Sequence, residues 1–89
     1  MKAIMTVIGP DRVGIIAEVS TLLAANNVNI LDLSQTIMDD IFTMTILVDT
    51  AAASCSFDAL STALENKGKE IGLSIRIQRR DHFTAMNRI

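Results

Sequence analysis

Residues 28–49 read VNILDLSQTIMDDIFTMTILVD, and the parsing of this stretch decides the fold. From Ile41 the pattern alternates cleanly. Phe42, Met44, Ile46 and Val48 fall on one face and Thr43 and Thr45 on the other, the period of a half-buried strand. The first half is extended but untidy. Val28 and Ile30 share one face while Leu31, Leu33 and Ile37 share the other, so either a bulge near Asp32 shifts the register or both faces are covered. Asp39–Asp40 between the halves is a tight-turn signal, although it lacks the Gly that a two-residue loop prefers. Together these features predict a β-hairpin.

Working outward, each side of the hairpin carries a helix and then a strand. Upstream, Ile15, Ile16, Val19, Leu22 and Leu23 form one apolar stripe at helical spacing. Asp11 stands before this stripe as the expected N-cap, and Asn26–Asn27 ends it, because Asn tolerates the left-handed conformation. Before that helix, Lys2 to Ile8 is a short apolar strand run closed by Gly9–Pro10. Downstream, after a loop over residues 50–56, Phe57, Leu60, Leu64, Gly68 and Ile71 recur at helical spacing. Asp58 near the start of that helix and Lys67 and Lys69 near its end complement the dipole. Gly72 breaks the pattern, and Leu73, Ile75 and Ile77 alternate with Ser74, Arg76 and Gln78 as a last strand.

The order β-α-β-β-α-β with right-handed crossovers interleaves two βαβ units into an α+β, ferredoxin-like sandwich. The expected sheet is antiparallel and four-stranded, in spatial order 4-1-3-2, with both helices on one face. Its bare face carries Thr6, Thr43, Thr45, Ser74 and Arg76 beside Ile4, Ile8 and Leu47, an apolar patch that self-association would cover. Residues 1–79 form the domain. Residues 80–89 form a tail in which Phe83, Met86 and Ile89 are spaced as on a short docking helix.

Composition narrows the function. The chain has 89 residues, enough for one domain, and its 25 Ile, Leu and Val residues supply one two-layer core. A net charge of −2 and 3 % aromatic residues argue against a nucleic-acid binder, which needs clustered Lys and Arg and bases stacked on rings. Arg76, Arg79, Arg80 and Arg88 do make the C-terminus locally basic, foremost as a solvated edge, with a protein partner or an anionic ligand as the alternatives. One cysteine, Cys55, and one histidine, His82, give no internal disulfide and too few soft ligands for a zinc site. No metal or cofactor is expected, no apolar run is long enough for a membrane span, and a cytoplasmic location is expected.

Two segments offer chemistry. Gly9-Pro10-Asp11-Arg12-Val13-Gly14-Ile15 joins the first strand to the first helix; its glycines admit a close backbone approach, and a helix start offers N–H donors to an anion. It matches neither nucleotide-binding glycine fingerprint. Asn29-Ile30-Leu31-Asp32 opens the second strand, where the Asn29 amide can both donate and accept.

Taken together, Gly-x-Asp-Arg-x-Gly-Ile-Ile-Ala-Glu-Val, a helix closing on Asn-Asn and then Val-Asn-Ile resemble the ACT domain, a small ligand-sensing module. The resemblance covers residues 2–79. The run from Asn29 to Thr36, together with Arg76-Ile77-Gln78-Arg79 and the tail from His82, resembles the stand-alone single-ACT proteins of bacteria and archaea, related to the glycine-cleavage-system transcriptional repressor. The resemblance implies a homodimer joined through the second-strand edges. It also implies a small ligand, often an amino acid, held between the first loop of one subunit and the second strand of its partner. Carried over, the ligand-binding positions are Gly9, Asp11, Arg12, Gly14 and Ile15 on the loop and Asn29, Ile30 and Leu31 on the strand. Many ACT domains carry Pro just before the second glycine; here that position is Val13, with Pro at 10, so the loop is less pre-set.

The expected function is thus non-catalytic regulation, through ligand binding or, alternatively, as a constitutive assembly module with no ligand. An acylphosphatase-like enzyme on the same topology is the weaker alternative: Arg12 and Asn29 supply the residue types, but its loop pattern is absent and no nucleophile–base pair is available.

Overall fold

The computed structural model describes residues 1–81. The elements are β1 (Lys2–Pro10), α1 (Ile15–Ala25), β2 (Asn29–Met38), β3 (Ile41–Asp49), α2 (Phe57–Ile71) and β4 (Ser74–Arg79). They form one antiparallel sheet in the order β2-β3-β1-β4, the predicted topology. The docking helix expected in the 80–89 tail falls on residues 82–89, outside the described residues.

The untidy alternation of β2 is a bulge. The pairing with β3 shifts between Ile30 and Asp32, leaving Leu31 as the extra residue. The shift puts Ile30, Leu33, Gln35 and Ile37 opposite Val48, Ile46, Met44 and Phe42, on the face that packs against the helices. The hairpin closes at Met38 and Ile41, and Asp39 takes φ 60° in place of the missing glycine, a conformation its short polar side chain tolerates. Just after the bulge, the Leu33 N–H donates to Asp32 Oδ1 at 2.8 Å.

The core gathers Ala3, Met5 and Val7 of β1 with Phe42, Met44, Ile46 and Val48 of β3 and the inner faces of both helices. In α1 the buried positions are Ile15, Val19 and Leu23; Ile16, expected on the same stripe, is 40 % exposed, because α1 leaves the β2 flank open. In α2 they are Leu60, Leu64 and Gly68. No polar or charged side chain is buried among the described residues.

One local expectation fails. Asp11 does not cap α1; the N-cap is Gly14, at φ 91° and ψ 1°, with no side-chain hydrogen bond. A Cβ at Gly14 would meet nothing within 4 Å, so backbone conformation alone calls for glycine there. The Asp11 N–H instead donates to the Asp40 carbonyl at 3.0 Å, tying the loop to the hairpin turn. The helix ends otherwise follow the sequence. Asn27 sits at φ 56° after α1, Gly72 at φ 78° closes α2, and the Ser56 hydroxyl accepts from the Ala59 N–H at 3.1 Å at the start of α2.

Candidate functional site

The β1–α1 loop and the hairpin turn lie at the same end of the sheet, because Pro10 pairs with Ile41 and Ile41 with Met38. Between this loop, the first turn of α1 and the C-terminal half of β2 is a hollow of about 190 Å³. Asp11, Arg12, Gly14 and Ile15 line it, together with Ile16 and Ala17 of α1, Gln35 and Ile37 of β2 and Phe42 of β3. One rim is polar and the rest is aliphatic and aromatic. Since no side-chain oxygen caps α1, its first-turn N–H groups retain capacity for an anionic acceptor at this edge.

Arg12 is already engaged. Its guanidinium forms an ion pair with Glu18 in the first turn of α1 and donates to the Val13 carbonyl at 3.2 Å. Both charged groups are substantially solvent-exposed, so the pair holds the loop's shape more than it stabilises the fold. Val13 is 94 % exposed and packs on nothing in the protomer.

Of the eight positions nominated from sequence, four meet in this hollow and four do not. Gly9 lies within β1, and what approaches it closely is Leu73: a Cβ at position 9 would collide with the Leu73 side chain and lie 3.3 Å from its Cα. Asn29, Ile30 and Leu31 sit at the opposite end of β2, where Asn29 pairs with Asp49 and Ile30 with Val48. At about 3.4 Å per residue, Asn29 is roughly 30 Å along the strand from Met38, so within one protomer it cannot reach the loop. The same separation keeps Arg12 and Asn29, the pair an acylphosphatase-like reading needs, from meeting in one chain.

Sequence matching over residues 2–78 gives the ACT domain family. The chain belongs to the ACT domain family. It is 55 % identical over 89 residues to a UPF0237 protein of Clostridium acetobutylicum, covering all of both chains. It is 48 % identical over 88 residues to a UPF0237 protein of the archaeon Methanocaldococcus jannaschii, covering 99 % of this chain and 98 % of the relative. Among solved structures, the ACT domain protein from Streptococcus pneumoniae superposes with a TM-score of 0.82 at 40 % identity, with 93 % of each chain covered. The regulatory subunit of aspartate kinase from Thermus thermophilus, in its ligand-free form, superposes with a TM-score of 0.68 at 25 % identity, over 86 % of this chain and 50 % of that one.

In this ACT domain the hollow includes five residues that were not nominated from the motif: Ile16, Ala17, Gln35, Ile37 and Phe42. The register of β2 was the missing signal. A bulge at Leu31 turns Gln35 and Ile37 toward the helix layer, beside the loop, whereas unbroken alternation from Val28 and Ile30 puts Leu33, Gln35 and Ile37 on the opposite face. At the other end of the sheet, the Asp49 carboxylate accepts from the Ala51 N–H at 3.0 Å and pairs with the N-terminal amine at 3.3 Å. These bonds, with that of Ala51 foremost, hold its pKa below the usual carboxylate range. Cys55 is half-buried, with its Sγ 3.5 Å from Asn26 Oδ1, and no cluster of metal-binding side chains occurs among the described residues. No described helix is long and apolar enough to cross a membrane.

Proposed function

We propose that this ACT domain is a non-catalytic regulatory module that pairs with a second copy through β2 and takes a small ligand, such as an amino acid, at the junction. The open flank of β2 carries this reading. No residue of β2 is fully buried, and Leu31, Ile37 (54 % exposed) and Met38 (75 %) lie along it, with Ile16 of α1 beside Ile37. β2 is also an edge strand. With Met38 and Ile41 closing the hairpin, the antiparallel alternation turns the backbone N–H groups of Leu33, Gln35 and Ile37 outward. An edge this long and this apolar invites pairing.

A two-fold axis that pairs β2 antiparallel with its copy, centred on Leu33, brings the partner's Asn29 beside Ile37, at the loop end of the strand. Seven of the eight motif positions, all but Gly9, then divide between two chains around one junction. Asp11 would receive an ammonium group, the first-turn N–H groups of α1 a carboxylate, and Ile16, Ile37 and Phe42 an apolar side chain, with the partner's Asn29 orienting the whole. A ligand touching both subunits favours one dimer geometry by its differential affinity, and a partner protein reads that geometry. The regulatory name of the aspartate kinase subunit that shares this fold supports the same reading. A second reading, constitutive assembly with no ligand, is favoured by the engagement of Arg12 with Glu18, which removes one charge from the site.

Melting curves with each amino acid test the choice. A ligand at ~100 times its Kd adds about 2.7 kcal/mol, and each kcal/mol moves Tm by roughly 4–8 °C in a domain of this size. The expected result is a shift with one or two amino acids that is lost in Asn29→Ala. No shift with any of them leaves assembly as the function. Gln35→Pro, which removes an outward N–H without touching the β2–β3 ladder, tests the edge pairing by sedimentation; an unchanged mass would refute it.

A further inference from the structure

α1 and α2 cover one face of the sheet, and no described element covers the other. The strand register maps this bare face row by row. From one end, Lys2 of β1 lies beside Asp49 of β3; next come Ile4 beside Leu47, Thr6 beside Thr45, Ile8 beside Thr43 and finally Pro10 beside Ile41. β4 adds Arg76 in the Thr6 row, and β2 adds Ser34 to the same row and Asp32 beside Leu47. Ile8 is 44 % exposed and Ile41 53 %, and between them and Pro10 is a hollow of about 330 Å³.

We propose that this face binds a second copy of the chain, sheet against sheet, about a two-fold axis parallel to the strands. Such an axis exchanges the β1 and β3 columns and keeps every residue in its row. Ile4 then meets the partner's Leu47, Thr6 meets the partner's Thr45, and Pro10 meets the partner's Ile41. Lys2 faces the partner's Asp49, and Arg76 lies over the partner's Ser34, one row from its Asp32. Outside the Ile8–Thr43 row, where an apolar side chain meets a hydroxyl, apolar side chains meet apolar side chains, hydroxyls meet hydroxyls and opposite charges meet. An axis perpendicular to the strands instead sets Arg76 on the partner's Arg76 and Lys2 on the partner's Pro10, which places like charges together and strands others on apolar atoms. Aligned sheets pack about 10 Å apart with a rotation near 30°, which displaces the central Thr6–Thr45 row least. Four strands at about 4.8 Å spacing give roughly 500 Å² of face per copy, so a pair buries about 1,000 Å², enough for a specific interface. This interface is separate from the β2 pairing and does not rest on it; the two axes are perpendicular but do not meet, so with both present copies add on without closing into a ring.

The test is the mass of the full chain by sedimentation equilibrium, with a melting curve of each variant as the control for folding. The wild type is expected to form species larger than a dimer. Thr45→Arg and Thr6→Glu, each on the bare face, are expected to reduce these to the dimer held by β2, and mixing those two variants is expected to restore the larger species, since the introduced arginine of one meets the introduced glutamate of the other only if β3 lies over β1. Gln35→Pro is expected to leave the dimer held by the bare face, and Gln35→Pro with Thr45→Arg to give monomers. A wild-type mass unchanged by both face variants overturns the proposal and leaves the face to some other occupant. Reduction to the dimer without restoration on mixing overturns the pairing. A wild-type dimer that Thr45→Arg breaks and Gln35→Pro does not upholds the face and refutes the β2 edge; the reverse pattern does the opposite, and a wild-type monomer refutes both.

Discussion

The two βαβ halves of this domain share one topology and differ in completeness. α2 runs fifteen residues, starts on a Ser56 hydroxyl cap and ends on Gly72, and β4 beside it buries Ile75 and Ile77. α1 runs eleven residues, starts on Gly14 with no side-chain acceptor, and leaves β2 without one fully buried residue. The α2–β4 half is finished within the chain; the α1–β2 half exposes Val13, Ile16, Leu31, Ile37 and Met38. The difference separates two tasks. One half supplies the stability of the protomer, and the other keeps its apolar surface available for whatever completes it.

The contrast can be broken first at its largest expected effect. Leu64→Ala, at a fully buried position of α2, should cost ~2–5 kcal/mol in denaturant unfolding. Ile37→Ala on β2 should change dilute-protomer stability by no more than ~0.5 kcal/mol; equal losses at the two sites would erase the distinction. Gly14→Ala comes next. It forces a Cβ into the left-handed region and should cost about 1–2 kcal/mol, read as a lowered Tm, although no neighbour is within 4 Å. At the caps, Ser56→Ala should cost about 1 kcal/mol while Asp11→Ala leaves α1 helicity by circular dichroism unchanged, because only Ser56 caps its helix.

The smallest effect is electrostatic. The folded pKa of Asp49 is lowered, so its ionised form is favoured by folding; that contribution is present above the unfolded carboxylate pKa and is lost as pH falls through the folded value. Asp49→Asn should therefore flatten the acid limb of a stability–pH curve slightly and leave neutral-pH stability lower. A steeper acid limb in the variant would contradict this.

The fold was legible because each boundary is written in local chemistry. The change from period 2 to period 3.6 after Pro10, the Asn26–Asn27 stop, the Asp39–Asp40 turn and Gly72 all fall where the chain turns. Even the bulge showed, as alternation that would not settle on one face. The start of α1 was less legible, since a carboxylate at Asp11 and a left-handed glycine at Gly14 are rival N-cap signals three residues apart, and the backbone follows the glycine. The candidate site was half legible. A motif names positions on two segments but not that β2 holds them roughly 30 Å apart, nor that the bulge brings Gln35 and Ile37 to the loop. Gly9 shows the limit most clearly: its small size serves the packing of Leu73.

The bond from the Leu33 N–H to Asp32 Oδ1 bears on how the chain behaves in a crowded cell. An open strand edge attracts any extended segment that passes, since each outward N–H is an unfilled hydrogen bond. Here, immediately after the bulge, one of those donors is already occupied by a side chain of its own strand. An arriving strand must dislodge Asp32 to use it, exchanging one hydrogen bond for another with little net gain. At that position, backbone pairing alone does not reward an intruder. Any pairing there would draw more on fit along Leu31, Ile37 and Met38 than on that one backbone bond.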